Sequence, residues 1–247
     1  MQALTFTLSG ETAFFRQPDV NAYLYFTYGH IHKVALLGMF GAILGLDGYN
    51  QMKKGQKYPE FYEALKDLRI SIRPLVNHGL FLKKIYSFNN SVGYASFEKG
   101  GNLIVTQQWL EKPSWDIALL LNDPRAHDIR LKIMNKESVY LPYLGSNAHP
   151  ANIRNASVED LSPVQRGVSD AQQYRIVSLV PQEDFTFDFD CFDEDEEFFQ
   201  YREKLPVSLH EQTNLYQCKS FIFTNYFANN CHSDLFFQIN NEYWGFY

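Results

Sequence analysis

Cysteine is scarce. The 247 residues hold three, Cys191, Cys218 and Cys231, and no Cys-x-x-Cys pair. That excludes a disulfide framework and predicts a reducing, cytoplasmic setting. Cys231-His232 has no second half at metal-ligand spacing, so neither a metal nor a cofactor is expected. No charged, apolar and small-residue signal opens the chain, which fits the same setting. Membrane-length apolar runs are also missing. The uncharged run Val34 to Leu46 has 13 residues; at about 1.5 Å per residue it reaches roughly 20 Å, short of a bilayer core of roughly 30 Å. No membrane partner is expected. The glycines in this run precede no Gly-Lys-Ser/Thr, which excludes a Walker-type phosphate loop. There is no Ser-His-Asp order, no nucleophile elbow and no internal repeat.

Aromatic residues are abundant: 16% of the chain, with 21 Phe and 16 Tyr. Together with 45% hydrophobic residues they predict a globular protein with a sizeable core, and some rings left over as stacking platforms. The net charge of −6 speaks against a nucleic-acid partner until its distribution is read. Residues 1–180 carry 19 Lys and Arg against 15 Asp and Glu, a balance of +4; residues 181–247 carry 3 against 13, a balance of −10. A basic body is compatible with an anionic ligand.

"QALTFTL" (2–8) alternates as a half-buried strand. Residues 34–46 read as a helix that is apolar all round, hence covered on two sides. Its Gly38, Gly41 and Gly45 share a face, which predicts close approach to another backbone, most simply a sheet. "PEFYEALK" (59–66) is a second helix. "LRISIRPLV" (68–76) alternates, with Leu68, Ile70 and Ile72 inward and Arg69, Ser71 and Arg73 opposite. "LFLKKIY" (80–86) is a further strand. "NLIVTQQWL" (102–110) and "WDIALLL" (115–121) flank "EKPS" and read as a hairpin. "DPRAHDIRLKIMNK" (123–136) is a helix capped by Asp123, with Pro124 at its first position and Ile129, Ile133 and Met134 on one side. Segments 172–180, 185–189, 217–227 and 234–240 read as β, and the acidic 193–203 as a loop or short helix. The predicted class is α+β: a βαββαβ, ferredoxin-like (RRM-like) domain over 1–165 with a protruding hairpin, and a β-rich acidic part over 166–247.

Candidate contacts with an anionic ligand follow from residue type. His30, His32 and Lys33 precede or open the apolar helix, where free N–H groups and the dipole attract anions. A histidine base beside a Tyr or Lys would suit RNA cleavage, but no spacing fixes such a pair. Arg16 is suited to bidentate phosphate contact. Lys83 and Lys84 alternate, so at most one of them faces any given groove. Trp109 and Trp115, with Gln107, Gln108 and Lys112, would sit at the expected hairpin tip, an aromatic, amide-bearing and basic place for unstacked bases. "VGYASFEKG" (92–100) lacks the basic and Phe-Val positions of the RRM signature.

Four blocks, "FTLSGETAFFRQPDVNAY", "KVALLGMFGAILGL", "QQWLEKPSW" and "YLPYLGSNAHPANI", resemble in that order the Cas-five family of CRISPR-associated proteins, closest to its type I-B branch. This is a RAMP-superfamily subunit of the Cascade antiviral surveillance complex. The resemblance implies a ferredoxin-like core with a hairpin thumb and binding of the 5′ repeat-derived handle of crRNA. It implies a backbone subunit and a large subunit as neighbours, with target DNA met through the complex. Arg16 matches the family's motif. Residue type and position add His32, Lys33, one of Lys83 or Lys84, Gln108, Trp109 and Lys112 as expected RNA contacts, with Tyr143 and Asn147 expected to shape the fold. Family members often carry Pro and Ser/Thr around the lysine before the helix, whereas this chain has "GHIHKVA". The type I-C branch is itself an endoribonuclease; in type I-B a separate Cas-six enzyme cuts the precursor. The expectation is a binder without catalytic residues, the alternative a metal-independent endoribonuclease processing pre-crRNA.

Overall fold

A computed structural model describes residues 1–18, 23–164, 173–190 and 197–247. Cys191, the acidic run 193–196, residue 172 and the expected domain boundary at 165–166 lie outside the described residues. Among the described residues no helix is long and apolar enough to cross a membrane.

The elements of the first part are β1 (Gln2–Ser9), β2 (Thr12–Ala13), α1 (Lys33–Leu44), α2 (Glu60–Leu65), β3 (Ile70–Pro74), β4 (Lys83–Asn89), β5 (Ile104–Glu111), β6 (Ser114–Leu120), α3 (Pro124–Met134) and β7 (Asn152–Asp160). Four strands form an antiparallel sheet in the order β3-β6-β1-β7. Period-2 alternation sets its register. Leu4, Leu119 and Ile70 form one row and Phe6, Ile117 and Ile72 the next. Helix α1 lies over these rows, with Phe40 edge-on to Phe6 at 6.3 Å between ring centres.

The glycines of α1 do not face the sheet. A Cβ built on Gly41 would lie 2.5 Å from Phe61 Cβ, and one on Gly38 would lie 3.8 Å from Phe61 Cε2. The close neighbour is therefore α2, seated through one aromatic ring, while bulky side chains such as Phe40 fill the gap to the sheet. Gly45 adopts a left-handed φ of 80° and ends the helix, with the Leu46 N–H donating to Gly41 O at 2.9 Å. Gly41→Ala is expected to cost about 1–3 kcal/mol by overpacking. Gly38→Ala has room and should gain up to about 1 kcal/mol of helix propensity. Urea midpoints of the two variants check the contrast.

Helix α3 starts as expected: Asp123 accepts from Arg125 N–H at 2.7 Å and Pro124 is its first residue. Its buried side is Ala126, Ile129 and Ile133, whereas Met134 is exposed.

The C-terminal part adds β8 (Ser162–Pro163), β9 (Tyr174–Arg175), β10 (Val180–Pro181), β11 (Phe185–Asp188), β12 (Gln200–Leu209), β13 (Tyr216–Thr224), β14 (Phe227–Cys231), β15 (Phe236–Ile239) and β16 (Glu242–Gly245). The described end of the acidic segment is thus strand, since β12 begins at Gln200. Leu205, Leu209, Phe221 and Phe223 of β12 and β13 belong to the same core as Leu4, Phe6 and Phe40. This covers α1 from above, as its all-round apolarity requires. On the other face of the main sheet, Ala3, Ala118 and Leu120 pack with Phe237, Ile239, Trp244 and Phe246.

Candidate nucleic-acid interface

Strand β5 does not pair with β6. It pairs antiparallel with β4, from Lys83↔Leu110 to Asn89↔Ile104, and carries β2 on its other edge. The hairpin is therefore 83–111, with its tip at 90–103, and "EKPS" is a crossing between two sheets. Burial decides this: Trp115, Ile117, Ala118, Leu119 and Leu120 are all buried, so β6 needs cover on both faces and takes a central place between β3 and β1. β5 is apolar only at intervals and is content half-exposed.

Directly opposed residues of antiparallel strands share a face. One face of the hairpin accordingly carries Lys84 opposite Trp109 and Tyr86 opposite Gln107. Tyr86 and Trp109 stack at 4.4 Å and 25°, and the Lys84 ammonium lies 5.2 Å from the Tyr86 ring centre. Trp109 Nε1–H donates to Gln107 Oε1 at 2.7 Å, and Tyr86 O–H donates to Glu111 Oε1 at 2.7 Å. The edge of Trp109 meets His149 at 4.6 Å and 86°. His149, buried, is held at 2.6 Å from Thr12 Oγ1, and burial pushes its pKa down. The opposite face carries Lys83, Ile85, Gln108 and Leu110.

Arg16 joins this hairpin through Tyr25. The Gln108 N–H donates to Tyr25 O at 2.9 Å and the Tyr25 N–H to Thr106 O at 3.0 Å, so Tyr25 runs along β5. The Arg16 guanidinium lies 4.0 Å from the Tyr25 ring centre. Arg16 also stands on the lining of a groove of about 770 Å³ over α1.

The other expected contacts do not join the hairpin face. His32 is buried and caps α1, its Nδ1 accepting from Ala35 N–H at 3.3 Å. Burial lowers its pKa to about 3. This is a correction: the ring is committed to the helix start and to Phe15, Tyr28 and Tyr216. Lys33 is buried too. Its Nζ donates to Tyr247 O at 3.3 Å, and burial, then Arg69, lowers its pKa to about 8. It lines a cavity of about 370 Å³ with Lys66, Arg69 and Lys219, not the groove that Arg16 lines. His30 is buried, accepts from Trp115 Nε1–H at 3.1 Å, and has a pKa lowered to about 3, chiefly by burial. Neither histidine is open to a scissile bond.

Lys112 is exposed at the base of the hairpin, with φ 45° and its N–H bonded to Glu11 O. Trp115 is buried, far from any tip role. Gln108 and Trp109 point to opposite faces and cannot act on one nucleotide from the same side. Tyr143 lines the groove and bridges to Pro150; Asn147 is exposed. Tyr86 and His149 complete the aromatic face. Tyr86 is legible as the next same-face residue after Lys84, whereas His149 comes from a distant loop with no local signal.

No family model matches the chain, and no curated protein matches it. Solved structures are similar, and two of them match over nearly the whole chain. One is a chain of a CRISPR RNA-guided surveillance complex, matched over 92% of this chain and 90% of that one, with TM-score 0.52 and 12% identity. The other is a CRISPR protein from Archaeoglobus fulgidus, matched over 99% and 98%, with TM-score 0.50 and 10% identity. At these identities the likeness is one of fold.

Proposed function

We propose that this chain is a Cas-five subunit of type I-B character that binds the 5′ repeat-derived handle of crRNA within a Cascade-type complex. The observation that carries the reading is the hairpin face on which Lys84, Tyr86 and Trp109 stand together, with Arg16 docked at its side. An ammonium over one ring and a second ring stacked on the first suit a phosphate and an unstacked base. The sheet order β3-β6-β1-β7, crossed by α1 and α3, supports a ferredoxin-like core, and the hairpin 83–111 is the thumb. The fold shared with a surveillance-complex chain and the four sequence blocks favour the same family. The backbone subunit, the large subunit and target DNA would be met through that complex. The burial of His30 and His32 disfavours an endoribonuclease that uses either of them as its base.

Fluorescence anisotropy with a single-stranded repeat-derived RNA tests the reading. Lys84→Ala with Trp109→Ala should weaken binding by one to two orders of magnitude, as loss of a stacked base and a phosphate contact requires. Arg16→Ala should lower the log–log salt slope by about 0.7. Unchanged affinity in the double variant would remove the hairpin from the site. A discrete RNA product formed in EDTA would overturn the binder reading.

A further inference from the structure

The groove over α1 is distinct from the hairpin face, and its chemistry is selective. Its floor is the small-residue stripe Ala35, Gly38 and Ala42, one face of the helix at i, i+3 and i+7. The Tyr140 N–H donates to Ala42 O at 3.0 Å, which sets residue 140 beside this stripe. Tyr49, Tyr140 and Tyr143 supply rings along the walls. Asn50 and Gln51 supply amides; Gln51 Oε1 already accepts from Gly48 N–H at 3.2 Å, which leaves its amino group to donate. Among the described residues lining the groove there is no carboxylate, and the one cation is Arg16.

We propose that this groove takes one unstacked nucleobase of the bound RNA, with the adjoining phosphate at Arg16. The inference rests on the RNA-binding reading above and extends it: the hairpin face holds the strand, and the groove reads a base. Three features select this occupant. A cavity of about 770 Å³ has room for a nucleotide. Aromatic walls with neutral amides fit a heterocycle that both stacks and hydrogen-bonds. A groove with a single guanidinium and no acid fits a ligand with one local negative charge. An apolar partner side chain would fill the floor but leave the amides and Arg16 unanswered.

Gly38 gives the test its handle. A Cβ there meets only Phe61 Cε2, at 3.8 Å, so a longer side chain can extend over the floor without displacing the backbone. The probes are ten-nucleotide fluorescein-labelled homopolymers of A, U and C, measured by anisotropy. The wild type should discriminate among them by about fivefold or more. Gly38→Leu should weaken the preferred homopolymer by about tenfold and level the differences. Lys84→Ala should weaken all three and leave their ranking intact. If Gly38→Leu does not fold, Ala42→Leu, on the same floor, replaces it. Folded groove variants that bind every homopolymer as the wild type does would overturn the inference while leaving the hairpin reading standing. If neither the wild type nor any variant binds RNA, the hairpin reading falls and the groove with it. Equal affinity of the wild type for all three homopolymers, with Gly38→Leu still weakened, would overturn base reading.

Discussion

Acidification from pH 7 to 4.5 is expected to remove roughly 5 kcal/mol of folding stability through two histidines alone. His30 and His32 are buried, and burial lowers both pKa values from 6.5 to about 3; Lys83 adds to the effect at His30. The folded state therefore binds fewer protons than the unfolded chain. Stability is fully present above the unfolded value of about 6.5 and is lost as pH falls toward the folded value of about 3. Two pH units below 6.5, each histidine costs roughly 2–3 kcal/mol. His149, also pushed down by burial, acts in the same direction. Glu203 opposes it: burial raises its pKa, although the Gly29 N–H and Tyr201 O–H it accepts from pull it back. Its protonation favours the fold as pH falls. Against a typical total stability of about 5–15 kcal/mol, a loss of roughly 5 kcal/mol is large enough to read. Urea midpoints at pH 7, 6, 5 and 4.5 measure it. His32→Asn keeps a side-chain acceptor for Ala35 N–H but has no titration, so it should recover about half the loss. An acid slope identical to the wild type would show that His32 is not held neutral by the fold.

Those histidines mark the limit of what residue order carries. "GHIHKVA" shows polar residues before an apolar helix, and polar residues at a helix start are ordinarily solvated. Here the strands β12 and β13, about 170 residues further on, close over them: Tyr201 meets His30 and Tyr216 meets His32. Local patterns were legible where local physics decides. Alternation in 2–8 gave β1, and Asp123-Pro124 gave the start of α3 to the residue. The shared glycine face of α1 was legible as well, but not its occupant, because Phe61 belongs to another element. The "EKPS" turn signal lost to the burial demand of β6, and that moved the hairpin from 102–121 to 83–111. Of the candidate contacts, Arg16, Lys84 and Trp109 share one neighbourhood, since β5 links Tyr25 to Trp109. Lys33 left it because its surroundings are built by the C-terminal strands and Tyr247; His32 stands by the groove that Arg16 lines, but its ring is buried among Phe15, Tyr28 and Tyr216.

Trp115→Ala should cost about 3–5 kcal/mol, the range for truncating a large buried aromatic. Trp115 is fully buried at the seam where the hairpin joins the main sheet. Its ring stands edge-on to Phe15 at 6.0 Å and Phe81 at 5.1 Å, the residues that lead into Arg16 and β4. In register it lies between Leu8 and Pro74. Its Nε1–H is the donor to His30 Nδ1. Alanine therefore opens a cavity and strips a buried acceptor of its partner at the same time. Trp115→Phe separates the two losses: it keeps most of the packing and removes only the donor, for about 1–3 kcal/mol. His30→Leu in the Trp115→Phe background removes the orphaned acceptor and should return part of that loss, which a double-mutant cycle in urea would read as a favourable coupling. If the cycle is additive, the two rings do not depend on each other and the seam is held by packing alone. Because Phe15 and Phe81 lean on the same indole, Trp115→Phe should also loosen the base of the hairpin. Hydrogen exchange at the β4–β5 amides should then rise more than at the β1–β7 amides of Gln2–Thr5 and Ser157–Asp160, the end of that pair away from Leu8 and Trp115.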